Sequence, residues 1–529
     1  MKIMICDPIS AKGIEQFQQQ NDLETVVLSD RLGEAELLPL VGDVAAMVVR
    51  SETKITESIM AAAPNLKVVG RAGVGVDNID VDAATKRGIV VMNTPGGNTI
   101  STAELTFSML MATARKIPQA HMSIKQGAWN RKAHKGVELY RKTLGILGLG
   151  RIGTEVARRA IAFGMRVLAY DPYLSLSRAR ALQVEMMELD EIFPVADFIT
   201  VHMPMSDETR GMINTEAFQK MRPGVRILNC ARGGIVNETD LIQAIDAGIV
   251  AGAAFDVYEK EPLPDDHPFR EREEVVMTPH LGASTEEAQD NVGIEIAETI
   301  THYLRSGAIQ NAVNMPSLDA QTAALVQPYL NLAQKLGRLL AQLAPQRNDR
   351  LVITFGGKAA DLPGDPITRC VLMGFLSNAG GSDVNQVNAK SLAGSLGLVV
   401  EQVKSNEAID FAEWLHVAAY QGETKTSAGG TFFGASMSPR IVRLNGIPVE
   451  IDPNGVLCLV TNNDRPGLVG ALGTLLAKHE INIANMSLNR DAAGGQALTV
   501  LHLDSIPTRE IVEEIQSLEN ISRVKIANL

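Results

Sequence analysis

Three short stretches near the middle of the chain carry side chains able to hold a carboxylate and move a proton. Asn229-Cys230-Ala231-Arg232-Gly233-Gly234 sets an arginine in a glycine-bounded turn, where a planar guanidinium can offer a fork to a carboxylate. Asp256-Val257-Tyr258-Glu259-Lys260-Glu261-Pro262 offers acids, and Thr278-Pro279-His280-Leu281-Gly282-Ala283 offers an imidazole. Removing a hydride from a secondary alcohol requires the hydroxyl proton to leave too, so a base that titrates near neutrality helps. A carboxylate bonded to the second ring nitrogen fixes the tautomer and stabilises the imidazolium. Glu261 and His280 are the candidate pair, and Arg232 is the candidate carboxylate ligand. Taken singly, each is more often a solvated loop residue. Their order behind a nucleotide motif is far more specific than any one member.

That motif is Thr143–Pro172. An apolar strand, Thr143–Leu147, runs into Gly148, Gly150 and Gly153 in G-x-G-x-x-G spacing. Ile152, Val156, Ala157, Ala160 and Phe163 then recur at helical intervals, and a second strand, Arg166–Tyr170, ends at Asp171. Gly148 serves the turn, Gly150 lets the backbone approach a pyrophosphate, and Gly153 lets the helix pack on its strand. The helix start presents N–H groups and a positive dipole end to phosphate. Asp171 can accept ribose hydroxyls and would repel a 2′-phosphate, and Pro172 stands where an NADP enzyme often has arginine. The expected cofactor is NAD, and no metal is expected.

The elements that must position these groups follow from the rest of the chain. At 529 residues it is too long for one core and suggests roughly three to four domains. The 45% apolar and 21% charged content is that of an ordinary globular protein, and the net charge of −12 opposes non-specific nucleic-acid binding. Cys6, Cys230, Cys370 and Cys458 are scattered, with no C-x-x-C, as expected of reduced thiols. With no secretory signal and no apolar run of about 18 residues, a cytoplasmic protein without membrane contact is expected.

Lys2–Cys6, Val26–Leu28, Ala45–Val49, Lys67–Gly70 and Val90–Asn93 read as strands. They alternate with helices Ala11–Gln18, Glu34–Leu40, Thr56–Ala63 and Val81–Lys86, which predicts a parallel sheet covered on both faces. Ser101 and Glu104 have capping-box spacing at the start of a long apolar helix leading into the nucleotide unit. Later strands of that unit are Phe198–His202, Val225–Asn229, Gly252–Asp256 and Val275–Met277. A second capping box, Ser284-Thr285-Glu286-Glu287, opens a helix to about Leu304. Such a helix can cross back onto the first unit, which would then be discontinuous. Beyond Pro316, a helix at Leu325–Leu343 precedes strands, glycine-rich turns and a polar stretch, Gly422–Ser438, with no catalytic constellation. The tail reads strand Val456–Thr461, turn Asn462–Gly467, helix Leu468–Lys478, strands Ile481–Asn489 and Ala497–Leu503, helix Thr508–Leu518 and strand Ile521–Ile526. That is a ferredoxin-like βαββαβ plan.

The ordered set Gly148–Gly153, Arg232, Glu261 and His280 resembles the D-isomer-specific 2-hydroxyacid dehydrogenase family. Finer resemblance lies in Val49-Arg50-Ser51, Arg71-Ala72-Gly73-Val74-Gly75-Val76-Asp77-Asn78 and the run from Pro279 to Gln289. With the two C-terminal domains, these resemble its long members acting on 3-phospho-D-glycerate, over essentially the whole chain. The resemblance implies an α/β fold with two doubly wound parallel sheets. A Rossmann-like NAD domain (98–283) would be inserted in a flavodoxin-like substrate domain (1–97 and 284–315). An α+β intervening domain (316–453), like an allosteric substrate-binding domain, and a ferredoxin-like ACT regulatory domain (454–529) would follow.

The implied reaction is oxidation of 3-phospho-D-glycerate (3-phosphoglycerate) to 3-phosphohydroxypyruvate with NAD, the opening step of the phosphorylated route to L-serine. Arg232 would bind the substrate carboxylate, His280 would be the acid/base and Glu261 its partner. Cofactor contacts are implied for Val74, Gly148, Gly150, Arg151, Ile152, Gly153, Asp171, Met203, Cys230, Ala231, Asp256, Gly282 and Ala283. Relatives often carry Thr where this chain has Val74 and Met203, so backbone contacts are expected there. Arg50, Arg71, Asn98 and Arg131 would surround the substrate, with Arg131 reaching a neighbouring subunit's site. A homodimer or homotetramer is implied, with L-serine as effector between paired ACT domains at Asn462, Asp464 and Asn482. Formate-type relatives pair their His with Gln, against Glu261 here, and co-repressor relatives lack the two C-terminal domains.

Overall fold

The computed structural model describes residues 1–529 except 175, 317, 319, 378–383, 406–410, 435 and 491. Strands β1 (Lys2–Ile5), β2 (Glu24–Val27), β3 (Val44–Val49), β4 (Val68–Arg71) and β5 (Val90–Asn93) form a parallel sheet in the order β2-β1-β3-β4-β5. This is the flavodoxin-like order. Every residue of β3 is buried, as its apolar run requires in the central strand of a sheet covered on both faces. The Glu286–Ser306 helix returns from far along the chain and packs on the Ala11–Gln18 helix. Their backbones nearly touch: a Cβ on Gly13 would lie 2.7 Å from the Gly293 carbonyl carbon. Asn314 then clasps β5, with Oδ1 accepting from Val91 N and Nδ2 donating to the Ile89 carbonyl.

Two helix starts differ from the sequence reading. The long helix is Thr99–Arg115 with Asn98 at its N-cap, so Ser101 lies inside the first turn. The Ser101 hydroxyl donates to the Gly282 carbonyl, and Glu104 pairs with Arg159. Tertiary partners have taken both members of the supposed box. At the second start Thr285, not Ser284, is the cap and accepts from Ala288 N. The third helical position is therefore Ala288, and Glu287 has no reciprocal role.

Strands β6 (Thr143–Leu147), β7 (Arg166–Tyr170), β8 (Glu185–Met186), β9 (Phe198–Val201), β10 (Val225–Asn229), β11 (Val250–Phe255) and β12 (Val275–Met277) make a second parallel sheet. Its order is β12-β11-β10-β9-β6-β7-β8, a Rossmann-like doubly wound arrangement. Tyr170, Leu147, Val201, Asn229, Phe255 and Met277 stand side by side in one row across six strands. The residue after each leaves the sheet at the same level: Asp171, Gly148, His202, Cys230, Asp256 and Thr278. The strand order reverses beside β6, which is where such sheets open a crevice for ligands.

The next unit packs the Ala320–Leu343 helix on the Gly364–Leu376 helix, with Gly337 against the Val371 carbonyl and Gly374 against the Gln334 carbonyl. They cover a mixed sheet of β13 (Arg350–Gly357), β14 (Val399–Ser405), β15 (Glu413–Gln421), β16 (Thr424–Phe433), β17 (Ser438–Leu444) and β18 (Ile447–Ile451). The order is β14-β13-β15-β16-β17-β18. The supposed polar stretch Gly422–Ser438 is mostly strand β16, whose residues Thr426–Thr431 are buried; residue 435 of that stretch lies outside the described residues. Its small residues hid it, because Trp414 over Gly429 and Leu332 over Gly430 supply the apolar volume.

The tail has β19 (Val456–Asn463), helix Leu468–Lys478, β20 (Ile483–Arg490), β21 (Gln496–Leu503), helix Arg509–Gln516 and β22 (Ile521–Asn528). The antiparallel order is β20-β21-β19-β22. Strand β19 runs two residues further than expected, so Asn462 is a strand residue and not part of the turn. Strand β20 begins at Ile483, leaving Asn482 just ahead of it. One face of this sheet, with Leu457, Leu459, Leu498 and Val500, joins the core of the preceding unit, and the other closes over its own helices. Among the described residues, no helix is long and apolar enough to cross a membrane.

Candidate active site

Because β10, β11 and β12 end in register, the stretches carrying Arg232, Glu261 and His280 emerge side by side. His280 Nδ1 lies 2.6 Å from Glu261 Oε2. Asp256, 1% exposed, shapes the turn that presents the imidazole. Its carboxylate accepts from Leu281 N at 2.7 Å, Gly282 N at 2.9 Å and Thr278 Oγ1 at 2.6 Å. Its carbonyl accepts from His280 N, and His280 sits in left-handed backbone at φ 55°. Burial raises the Asp256 pKa, opposed by the bonds from Thr278 and Leu281.

Glu261 Oε1 accepts from Tyr258 N at 3.0 Å. Burial opposes the Glu261 charge, but the His280 bond and charge, the Tyr258 N–H and Arg232 outweigh it, and its pKa falls below the ordinary value. With the carboxylate on Nδ1, that nitrogen carries the ring proton and Nε2 is left as a hydrogen-bond acceptor. Arg232 is aimed by Asn229, which is wholly buried: Nδ2 donates to the Arg232 carbonyl and Oδ1 accepts from Ala231 N. The Arg232 guanidinium donates from Nη1 to the Ala231 carbonyl at 2.7 Å, and its Nε lies 3.2 Å from Asp77 Oδ2 of the first lobe.

The first lobe meets this site with its own strand ends. Val49 and Arg71 are register partners, so Arg50 and Arg71 both leave the carboxyl end of that sheet. Asp7 fastens the Arg50 turn by accepting from Arg50 N and Thr53 N, and Asn78 donates to the Arg50 and Thr53 carbonyls. Burial, then the Arg232 and Arg50 charges, push the Arg71 pKa down to about 10. It stays cationic at neutral pH, and its buried Nε has no hydrogen-bond partner. Three cations share this space, and an unsatisfied buried guanidinium calls for an anion. Asn98 caps the helix that leaves the crevice, and its Oδ1 is likewise buried without a partner. Arg131 does not join them. It is exposed, next to the segment whose Ala133 carbonyl accepts from Lys116, beyond the far end of the Thr99–Arg115 helix. That helix has 17 residues, which puts its far end roughly 25 Å from the crevice.

The nucleotide turn fits a dinucleotide on local grounds. Gly150 heads the Arg151–Ala162 helix with no side-chain cap, and a Cβ there would meet nothing within 4 Å. The opposite holds at Gly153, where a Cβ would lie 2.1 Å from the Gly148 carbonyl oxygen. Asp171 stands beside the turn, accepting from Leu149 N at 2.9 Å and Tyr173 N at 3.0 Å. Arg151 is exposed at the helix start and Ile152 is half-buried behind it. Met203 lies over Gly148. The Cys230 Sγ is turned into the core, 3.6 Å from Met109 Sδ, and burial pushes its thiol up to about 12, so only its backbone can meet a ligand. The Val74 carbonyl accepts from Asn93 Nδ2, and the Gly282 carbonyl, next to half-buried Ala283, accepts from Ser101 and Thr102.

Three further residues take part that no pattern in the sequence singles out. Asp77 sits in the Arg71–Asn78 run, with no spacing of its own that marks a role. Asn229 heads the arginine turn. Glu238 Oε1 accepts from Glu259 N at 2.8 Å and its Oε2 lies 2.9 Å from His267 Nε2, buttressing the loop that carries Glu261. Burial raises the Glu238 pKa. In the tail, the three effector candidates are engaged within their own domain. Asn462 is 2% exposed with its Oδ1 accepting from Thr499. Asp464 pairs with Arg490 at 2.5 Å, which lowers its pKa, and Asn482 Nδ2 donates to Asp504. Among the described residues, no three His, Cys, Asp or Glu side chains are grouped so that they could hold a metal ion.

Comparison with known proteins agrees with this geometry. Residues 107–282 match the NAD binding domain of the D-isomer specific 2-hydroxyacid dehydrogenases, 325–445 the D-3-phosphoglycerate dehydrogenase intervening domain, and 456–520 the ACT domain. The chain is 42% identical to the D-3-phosphoglycerate dehydrogenase of Archaeoglobus fulgidus, covering 98% of both chains. It is 40% identical to that of Bacillus subtilis, over 100% of this chain and 99% of the other. A solved NAD-dependent formate dehydrogenase from Staphylococcus aureus, in complex with NAD, superposes with a TM-score of 0.54 at 29% identity, covering 60% of this chain and 100% of that one. The crevice of register-matched strand ends and these relatives together show that the chain belongs to the D-isomer specific 2-hydroxyacid dehydrogenase family, among its D-3-phosphoglycerate dehydrogenases.

Proposed function

We propose specific residue roles for the reaction of this chain, an NAD-dependent dehydrogenase that oxidises 3-phospho-D-glycerate to 3-phosphohydroxypyruvate and so opens L-serine biosynthesis. The observation that carries the assignment is the His280–Glu261 contact beside three converging arginines. Arg232 grips the substrate carboxylate, fixing the carbon next to the one that reacts. Arg71 and Arg50 take the phosphate, and Asn98 offers its unpartnered carbonyl oxygen to the substrate or its hydration. His280 Nε2 accepts the hydroxyl proton as the C–H bond breaks, and Glu261 stabilises the imidazolium through Nδ1. Gly148–Gly153 and Asp171 would hold NAD, which would supply the hydride acceptor. His280→Ala should lower turnover by about 10²–10⁴-fold while NAD still binds. Near wild-type turnover in that variant would remove His280 from the mechanism. NAD should be strongly preferred over NADP, because Asp171 would face the 2′-phosphate.

The enzyme acts as a homodimer or homotetramer in this reading, since Arg131 lies too far from its own crevice and would serve a neighbour's. Substrate-binding (1–97, 284–315), NAD-binding (98–283), intervening (316–453) and ACT (454–529) domains divide the chain. Four buried free thiols support a cytoplasmic location. L-serine binds between paired ACT domains: Asp464 takes its amino group, Asn482 offers a donor and an acceptor, and the uncapped start of the Leu468–Lys478 helix holds its carboxylate. Asn462 contributes only as the floor of that site. Calorimetry of the full chain with millimolar serine tests this, and no heat of binding would leave the tail as an assembly module.

A further inference from the structure

We propose that Asp77 is an internal stand-in for the substrate carboxylate: it occupies part of the Arg232 fork, ties the two lobes across the crevice, and is displaced when substrate binds. The proposal rests on Arg232 as the carboxylate ligand. An arginine grips a carboxylate through two parallel N–H bonds. Here Nη1 donates to the Ala231 carbonyl, which leaves the edge formed by Nε and Nη2. Asp77 Oδ2 forms an ion pair with that side of the guanidinium, 3.2 Å from Nε, without the alignment of a hydrogen bond. Nη2 reaches over the first lobe's turn, since a Cβ on Gly75 would lie 1.8 Å from it.

The two partners differ in freedom. The Asp77 side chain is 71% exposed and that of Arg232 29%, so the carboxylate can swing into water while the guanidinium stays. Asp77 also opposes the Arg232 and Arg50 charges on Arg71. Of the other carboxylates near these arginines, Asp7 is committed to Arg50 N and Thr53, and Glu261 to His280 and Tyr258 N. An incoming ligand that engages Arg232 alone therefore only exchanges one carboxylate for another there. A substrate with a phosphate as well also satisfies Arg71. Asp77 thus raises the threshold of anionic charge that a ligand must bring, which makes it a specificity-determining residue.

Steady-state kinetics of Asp77→Asn test this, with oxalate as a phosphate-free competitive probe of the carboxylate site. An exposed ion pair holds only a modest excess of the closed form, so the KM for 3-phospho-D-glycerate should fall about two- to six-fold. Oxalate inhibition should tighten by at least as much, and Asp77→Glu should restore wild-type behaviour. A KM that stays or rises in Asp77→Asn, in protein with wild-type melting temperature, would overturn the proposal. If Asp77→Asn fails to fold, Asp77→Ser provides the same readings. Arg232→Ala separates the two failures: wild-type KM and oxalate affinity there would sink the carboxylate role of Arg232 itself.

Discussion

Two glycine-rich turns serve the crevice, one in each lobe, and they do opposite things. In the second lobe, a Cβ on Gly150 would meet open space in front of a helix start, where a phosphate can approach free N–H groups. In the first lobe, Cβ atoms on Gly73 and Gly75 would fall 1.8 Å from guanidinium nitrogens of Arg71 and Arg232. One turn admits the ligand to the backbone. The other lets the protein's own cations lie over it. Glycines in a turn announce close approach, and the residues that end the neighbouring strands decide what approaches.

Substitutions can break this contrast. Gly75→Ala should leave stability nearly intact, because the atoms in the way are the side-chain ends of Arg232 and Asp77 and not backbone, but the displaced fork should lower kcat/KM by about 10²-fold. Gly153→Ala should do the reverse. Its Cβ would meet the Gly148 carbonyl oxygen at 2.1 Å, which is backbone and cannot swing away. It should cost about 1–3 kcal/mol of stability, read as a lower denaturant midpoint, together with weaker NAD binding. Equal stability of the two variants would erase the distinction between the turns.

Glu261→Gln sharpens the second lobe's part. Against the cost of burial, His280 holds the Glu261 pKa down, and the 2.6 Å contact sets the Glu261 carboxylate directly against His280 Nδ1. Losing that charge makes proton release easier, so the inflection of the oxidation pH–rate profile should move to lower pH. An unmoved inflection would separate Glu261 from the proton step. The smallest effect is expected at Glu238→Gln. His267 Nδ1 accepts from Phe269 N, so Nε2 carries the proton and donates to Glu238, which in turn holds Glu259 N. Weakening that brace, worth ~1 kcal/mol for one hydrogen bond, should cost about fivefold in kcat with little change in KM.

Much of this was legible because it rests on local pattern. The run Ala45–Val49, the spacing Gly148–Gly153 and the strands ending at Asn229, Asp256 and Met277 follow from period and punctuation alone, and their ends fall within one residue of those in the structure. What stayed hidden depends on contacts between distant segments. Ser101 and Glu104 have cap spacing, yet Gly282 and Arg159 claim them. Strand β16 carries little apolar volume of its own. Asp77 gains meaning only when the lobes close on Arg232, and Asn462 vanished into a strand that ran two residues longer than its hydrophobic pattern.

In the proposed division of labour, the first lobe reads the substrate's phosphate and the second removes its proton. The direct test is kcat/KM with 3-phospho-D-glycerate and with D-glycerate in wild type, Arg71→Gln and His280→Ala. Arg71→Gln should collapse the preference for the phosphorylated substrate by raising its KM alone. His280→Ala should lower kcat for both substrates by about 10²–10⁴-fold and leave the preference in place. If Arg71→Gln weakens both substrates equally, the buried arginine is structural and the division of labour is wrong.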